Sequence, residues 1–205
     1  GLRPYPASYR PEMDVTSTLD EDGTTKFQQL IGILRWAIEL GRVDILTEVS
    51  CLSQHLAEPR DGHLLAVYKI FKYLDACLKK EKGRIVFDGK YKFVDNVIFN
   101  DTNRQEWEDF YQDANEEFPI KGPEPLGNPV RLSAYVDANH AGNLKTRRSH
   151  TGLLVYMNNA PILWYSKRQN TVETSSFGSE YIALRICTEM VEALRYKLRC
   201  FGIPI

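Results

Sequence analysis

The 205-residue sequence has only four cysteines, Cys51, Cys77, Cys187 and Cys200, and none falls in a CxxC or metal-finger spacing. Each sits among apolar neighbours, where cysteine acts as a small hydrophobe, so reduced structural thiols are expected rather than a disulfide framework or a zinc site. No apolar run approaches the roughly 20 residues of a membrane helix, and the first residues, GLRPYPASYRPEM, lack the basic-then-apolar order of a signal peptide. A membrane role is therefore not expected, and nothing directs the chain out of the cell. Position 1 is Gly rather than Met, which reads as a piece of something longer. A hydrophobic share of 43% and a charged share of 26% exclude wholesale disorder.

A net charge of −1 hides two halves of opposite sign. Residues 1–130 hold 16 Lys and Arg against 22 Asp and Glu, whereas residues 131–205 hold 10 against 5. Only the second half has the electrostatics of a polyanion binder. The Pro/Gly-rich stretch at 121–129 separates them.

Three prolines in the first eleven residues and the acidic cluster Asp20, Glu21 and Asp22 predict an extended linker over 1–23. Helical spacing follows. Phe27, Leu30, Ile31, Leu34 and Ile38 predict a helix capped by Thr24 or Thr25. Ile45, Val49, Leu52 and Leu56 predict a second that Pro59 stops, and Leu64, Val67, Phe71 and Leu74 a third that ends at KKEKG. Residues 24–88 thus read as a small helical bundle with a short strand, RIVFD, at 84–88. Residues 89–129 read as an irregular connection. From 130 the pattern is β: VRLSAYVDA, SHTGLLVYMNN and PILWYSKRQ form an antiparallel meander, the last pair joined at Asn158–Asn159, and a long helix runs from Ser175 or Ser176 to about Cys200. The fold class is α/β (α+β).

Two carboxylates stand out. Glu180, Leu184, Cys187, Val191, Leu194 and Leu198 recur at spacings of four and three, which puts Glu180 at the head of the buried stripe, where it needs a partner or must cap its own helix. Asp137 interrupts a β-rich run and is the only acid between 131 and 170. It is either a strand-end residue or, with Glu180, half of a site for divalent metal ions. Around it, Lys145, Arg147, Arg148, Lys167 and Arg168 favour phosphate contacts. His140 and His150 suit surface or phosphate contact better than metal ligation. Trp164 and Tyr165 alternate, so one belongs to a core and the other is free to stack on a base.

YVDANHAG at 135–142, RRSHTG at 147–152, APILWYSKRQNTVETSS at 160–176 and SEYIALRICTE at 179–189 resemble, in this order, the signature blocks of copia-type retrotransposon ribonuclease H. Residues 27–74 are similar to the reverse transcriptase thumb and connection of the same pol polyproteins. The resemblance implies that 130–205 form a truncated RNase H-like domain. Asp137 and Glu180 are then its catalytic, metal-binding carboxylates, Mg²⁺ or Mn²⁺ its cofactor, and an RNA/DNA hybrid and the rest of the polyprotein its partners, inside the cell in cytoplasm or nucleus. In this family an acidic residue usually stands where this chain has Gly178. The family's remaining RNase H carboxylates follow later and its polymerase aspartates come earlier, so this chain is expected to be catalytically incomplete. The alternative is a non-catalytic nucleic-acid-binding module or a decayed transposon remnant.

Overall fold

The computed structural model describes residues 3–78 and 119–205. The expected strand at 84–88 and the start of the irregular connection, 89–118, lie outside the described residues.

The N-terminal half folds as helices α1 (Glu21–Glu39), α2 (Leu46–Leu52) and α3 (Asp61–Leu78). Helix α1 starts earlier than the threonines suggested, because Asp20 is its cap: the Asp20 carboxylate accepts from the Gly23 amide at 2.8 Å, and Glu21 and Asp22 sit against the positive end of the helix. The acidic cluster is thus the start of a helix. The second helix is a composite, α2 being flanked by single 3₁₀ turns at Val43–Ile45 and Ser53–His55. Phe27, Ile31, Leu34 and Ile38 of α1 pack on Ile45, Val49 and Leu52 and on Ala66, Val67 and Ile70 of α3 in one core.

The first residues are not a free linker. Tyr5 and Tyr9 pack on the bundle core, and Pro4 and Pro11 are buried. His63, only 1% exposed, ties them down: its Nδ1 accepts from the Arg60 amide at 3.0 Å, leaving Nε2–H to donate to the Pro11 carbonyl at 2.9 Å.

The C-terminal half holds strands β1 (Leu132–Asn139), β2 (His150–Met157) and β3 (Ala160–Arg168) in the order β1-β2-β3, so β1 is an edge strand among the described residues. Asn158 takes φ +59 in the β2–β3 turn, as its composition suggested. Helix α4 (Ser176–Cys200) is capped by Ser175 and ends in a Schellman turn at Gly202, φ +71, where the Ile203 amide bonds Leu198 O and the Gly202 amide bonds Arg199 O. The tail beyond it pairs with residues 126–130 through Leu126 N to Gly202 O and Val130 N to Pro204 O.

Strand pairing fixes the two faces of the sheet. Val136 opposes Leu153, which opposes Tyr165, and these residues meet α4 in a second core around Leu153, Val155 and Cys187. On the other face Asp137, Gly152 and Ser166 form one cross-strand row, Asn139, His150 and Arg168 the next, and Trp164 packs on the helical bundle. Both aromatics of the Trp164–Tyr165 pair are therefore packed, each into a different core. The bundle and the sheet meet along this second face.

Candidate nucleic-acid interface and carboxylates

Glu180 does not lie on the buried stripe. Helix α4 buries Ser179, Ala183 and Cys187, and with them Ile186, Met190, Val191, Leu194 and Leu198, whereas Glu180 faces water together with Phe177 (77% exposed), Tyr181 (62%) and Leu184 (52%). Small side chains at 179 and 183 let the helix approach the sheet closely, and that preference overrides the larger Leu184. Ser179 is held on both sides: its Oγ lies 3.2 Å from His140 Nδ1, and its carbonyl accepts from the buried Gln169 side chain at 2.9 Å. Glu180 is thus carried on the first turns of a helix that is fixed to the ends of β1 and β3.

Asp137 is also exposed to water, and the pleat points it to the sheet face opposite α4. There it lines a chamber of about 320 Å³ with Arg148, Arg168, His150, Gly152 and Ser166 on the sheet side and Tyr5, Arg10, Glu12, Glu48 and Cys51 across from them. No ion pair joins Asp137, Arg148 or Arg168 to a partner among the described residues. Gly152 keeps the floor open, since a Cβ there would meet nothing within 4 Å. Burial pushes the Cys51 thiol up to about 11 and raises the Glu48 carboxyl above the usual carboxylate range. His150 is pushed down to about 4 by burial and, less, by the Arg168 guanidinium. Its Nε2 lies 2.8 Å from Ser166 Oγ and 3.4 Å from Ser50 Oγ, which itself donates to Ser166 O at 2.7 Å.

The basic residues occupy two places. Arg148 and Arg168 line the chamber, whereas Lys145, Arg147 and Lys167 are exposed. The β1–β2 loop that carries three of them is ordered by its own bonds: Asn143 Oδ1 accepts from the Thr146 amide (2.8 Å) and hydroxyl (2.9 Å), and the buried Ser149 hydroxyl accepts from Ala141 N at 3.0 Å. Arg147 is held at φ +56, a conformation that costs a non-glycine residue of order 1 kcal/mol.

A divalent ion prefers oxygen ligands, and two water-exposed carboxylates without ion-pair partners fit it in kind. They do not fit it in number, because the described residues contain no group of three or more His, Cys, Asp or Glu placed to hold a metal. Gly152, Ser166 and the N-terminal residues were not foreseen as neighbours of Asp137. Only Gly152 gave a signal, as a glycine inside a strand.

No model of a known protein family matches the chain, and no solved structure matches it. Among the described residues no helix is long and apolar enough to cross a membrane. The chain is 25% identical over 169 residues to a secreted RxLR effector protein 161 of Plasmopara viticola, a match covering 82% of this chain and 91% of that protein. It is 26% identical over 176 residues to the retrovirus-related Pol polyprotein from transposon RE2 of Arabidopsis thaliana, covering 86% of this chain but 9% of the polyprotein. A third relative, the retrovirus-related Pol polyprotein from transposon TNT 1-94 of Nicotiana tabacum, is 27% identical over 170 residues, which is 82% of this chain and 10% of that protein. Over most of its length, then, the chain is similar to a short segment, about a tenth, of retrotransposon Pol polyproteins.

Proposed function

We propose that residues 130–205 form part of an RNase H-like unit of a retrotransposon polyprotein, which binds RNA/DNA hybrids and places Asp137 and Glu180 at a divalent-metal site for hydrolysis of the RNA strand. The observation that carries this reading is the setting of Asp137: the one carboxylate in a segment of formal charge +5 over residues 131–170, exposed to water and lining one chamber with Arg148 and Arg168 and, across it, Glu12 and Glu48. Bound Mg²⁺ or Mn²⁺ would supply an activated water and neutralise the leaving oxygen. The chain's own residues do the rest. Arg147 and Lys145 take phosphates from the exposed loop, and Arg148 and Arg168 take them at the chamber. Asp137 would hold the ion from its face of the sheet, and Glu180, which α4 carries on the opposite side, would have to reach round the β1 edge to share it. Two carboxylates hold an ion weakly, so further ligands would have to come from outside the described residues.

The test is hybrid binding by fluorescence anisotropy against salt and metal. Affinity should fall with salt, drop in the Arg147→Ala, Arg148→Ala double variant, and rise with Mg²⁺ in the wild type but not in Asp137→Asn. Binding indifferent to the arginine changes sinks the reading. A non-catalytic binding module is the second reading, favoured by the missing third ligand among the described residues and by a relative almost co-extensive with this chain. It is distinguished by hybrid binding that ignores both Mg²⁺ and Asp137→Asn.

A further inference from the structure

We propose that the half-open cleft between α1, α2 and the end of β3 seats a single nucleic-acid strand and leads it to the Asp137 chamber. This inference rests on the nucleic-acid reading above and adds to it a second seat, for a strand that is not paired. The cleft holds about 460 Å³ and is lined by Arg35 and Glu39 of α1, by Gln54, and by Trp164, Lys167 and Arg168 of β3. A space of that size takes a base with its phosphate. It does not take a duplex, whose major groove alone is about 12 Å wide.

Charge decides which of the two adjoining spaces is the stronger seat for an anion. Around the Asp137 chamber, Arg10, Arg148 and Arg168 are matched by Glu12, Glu48 and Asp137. Around the cleft, the three cations Arg35, Lys167 and Arg168 face the single carboxylate of Glu39, an excess of two positive charges. No hydrogen bond or ion pair engages these three cationic side chains among the described residues, so each is uncommitted and suited to a phosphate oxygen. Arg168 lines both spaces, and a phosphate held on it stands at the passage from the cleft to the chamber. The neutral groups suit a base. Trp164 is half-buried, packed on the bundle core yet lining the cleft, and its indole N–H has no hydrogen-bond partner among the described residues and is not buried. The Gln54 side-chain amide is likewise unpartnered and faces the same space. Aromatic side chains beside a basic groove are the means by which proteins hold single strands, with bases on the rings and phosphates on the cations.

The test uses the full chain and Arg35→Ala, an exposed helix position outside every contact proposed above for the hybrid. Anisotropy at low salt compares a blunt RNA/DNA hybrid, the same hybrid with a single-stranded extension of about six nucleotides, and the free single strand. The extension should tighten hybrid binding about tenfold, and Arg35→Ala should cut that gain about fivefold while leaving the blunt hybrid unaffected. A second readout needs no variant: an iodouracil base in the extension, cross-linked by light to the wild-type chain, should be found by mass spectrometry on Trp164 or its neighbours in the cleft. An extension that adds no affinity, a gain that survives Arg35→Ala, or a cross-link away from the cleft overturns the cleft, and the blunt hybrid, if bound, leaves the hybrid reading standing. Single strand bound through Arg35 by a chain that ignores the blunt hybrid overturns the hybrid reading and keeps the cleft. Binding of none of the three probes overturns both.

Discussion

Lowering the pH should destabilise this protein in part through His150. In the folded chain its imidazole is held neutral, pushed down to about 4 by burial and by Arg168, against an ordinary value of about 6.5. The sign follows from proton counting: between these two values the unfolded chain binds the proton and the folded chain does not, so stability rises with pH in that window. The contribution is constant above about pH 6.5, is lost progressively as the pH falls, and flattens below about 4. Between pH 7 and 5 the loss amounts to roughly 2 kcal/mol. Urea unfolding of wild type and His150→Gln at pH 7 and pH 5 measures it. Gln keeps a hydrogen-bonding group for Ser166 and does not titrate. Wild type should lose roughly 2 kcal/mol more than the variant over this interval. His55, also pushed down to about 4, titrates in both proteins and drops out of the difference. Equal losses in the two proteins would refute the buried, neutral His150.

Arg147→Gly should raise unfolding stability by about 0.5–1 kcal/mol, because glycine accepts φ +56 without strain, while weakening hybrid binding; urea titration and anisotropy read the two effects. Gly152→Ala, whose Cβ meets nothing within 4 Å, should stabilise β2 by about 0.5–1 kcal/mol, yet weaken the Mg²⁺-dependent part of hybrid binding by placing a methyl group in the chamber beside Asp137; the same two titrations read these effects. Ser175→Ala, which removes the cap of α4, should cost about 1 kcal/mol in thermal or urea unfolding. Incubated with end-labelled hybrid and Mg²⁺, the chain should cleave barely or not at all; robust cleavage that vanishes in Asp137→Asn would show that two carboxylates suffice.

What could be read from the sequence followed from periodicity. The strands were legible because HTGLLVYM and the residues around it alternate between turn signals, and the start of α4 because serine is a cap residue. The face of α4 was misread by one position. Glu180–Leu184–Cys187 and Ser179–Ala183–Cys187 both satisfy helical spacing, and hydrophobicity favours the first, whereas close approach to the sheet favours the small side chains of the second. The start of the chain was misread because prolines and acids suggest a linker; Asp20 as a cap and Pro11 as an acceptor for His63 depend on partners far along the chain. The setting of Asp137 was not legible at all. Its neighbours come from residues 5–12, 47–55 and 148–168, and the Ser50–His150 contact spans a sequence separation of 100.

The central claim is that Asp137 and Glu180 serve one divalent-metal site when nucleic acid is bound. Mn²⁺ titrated into the hybrid-bound protein tests it directly, through paramagnetic broadening of backbone amide signals. Broadening centred on the amides around Asp137 and Glu180 together, and lost from both in Asp137→Asn, is the predicted result. Broadening at only one of the two segments, or elsewhere, would contradict it.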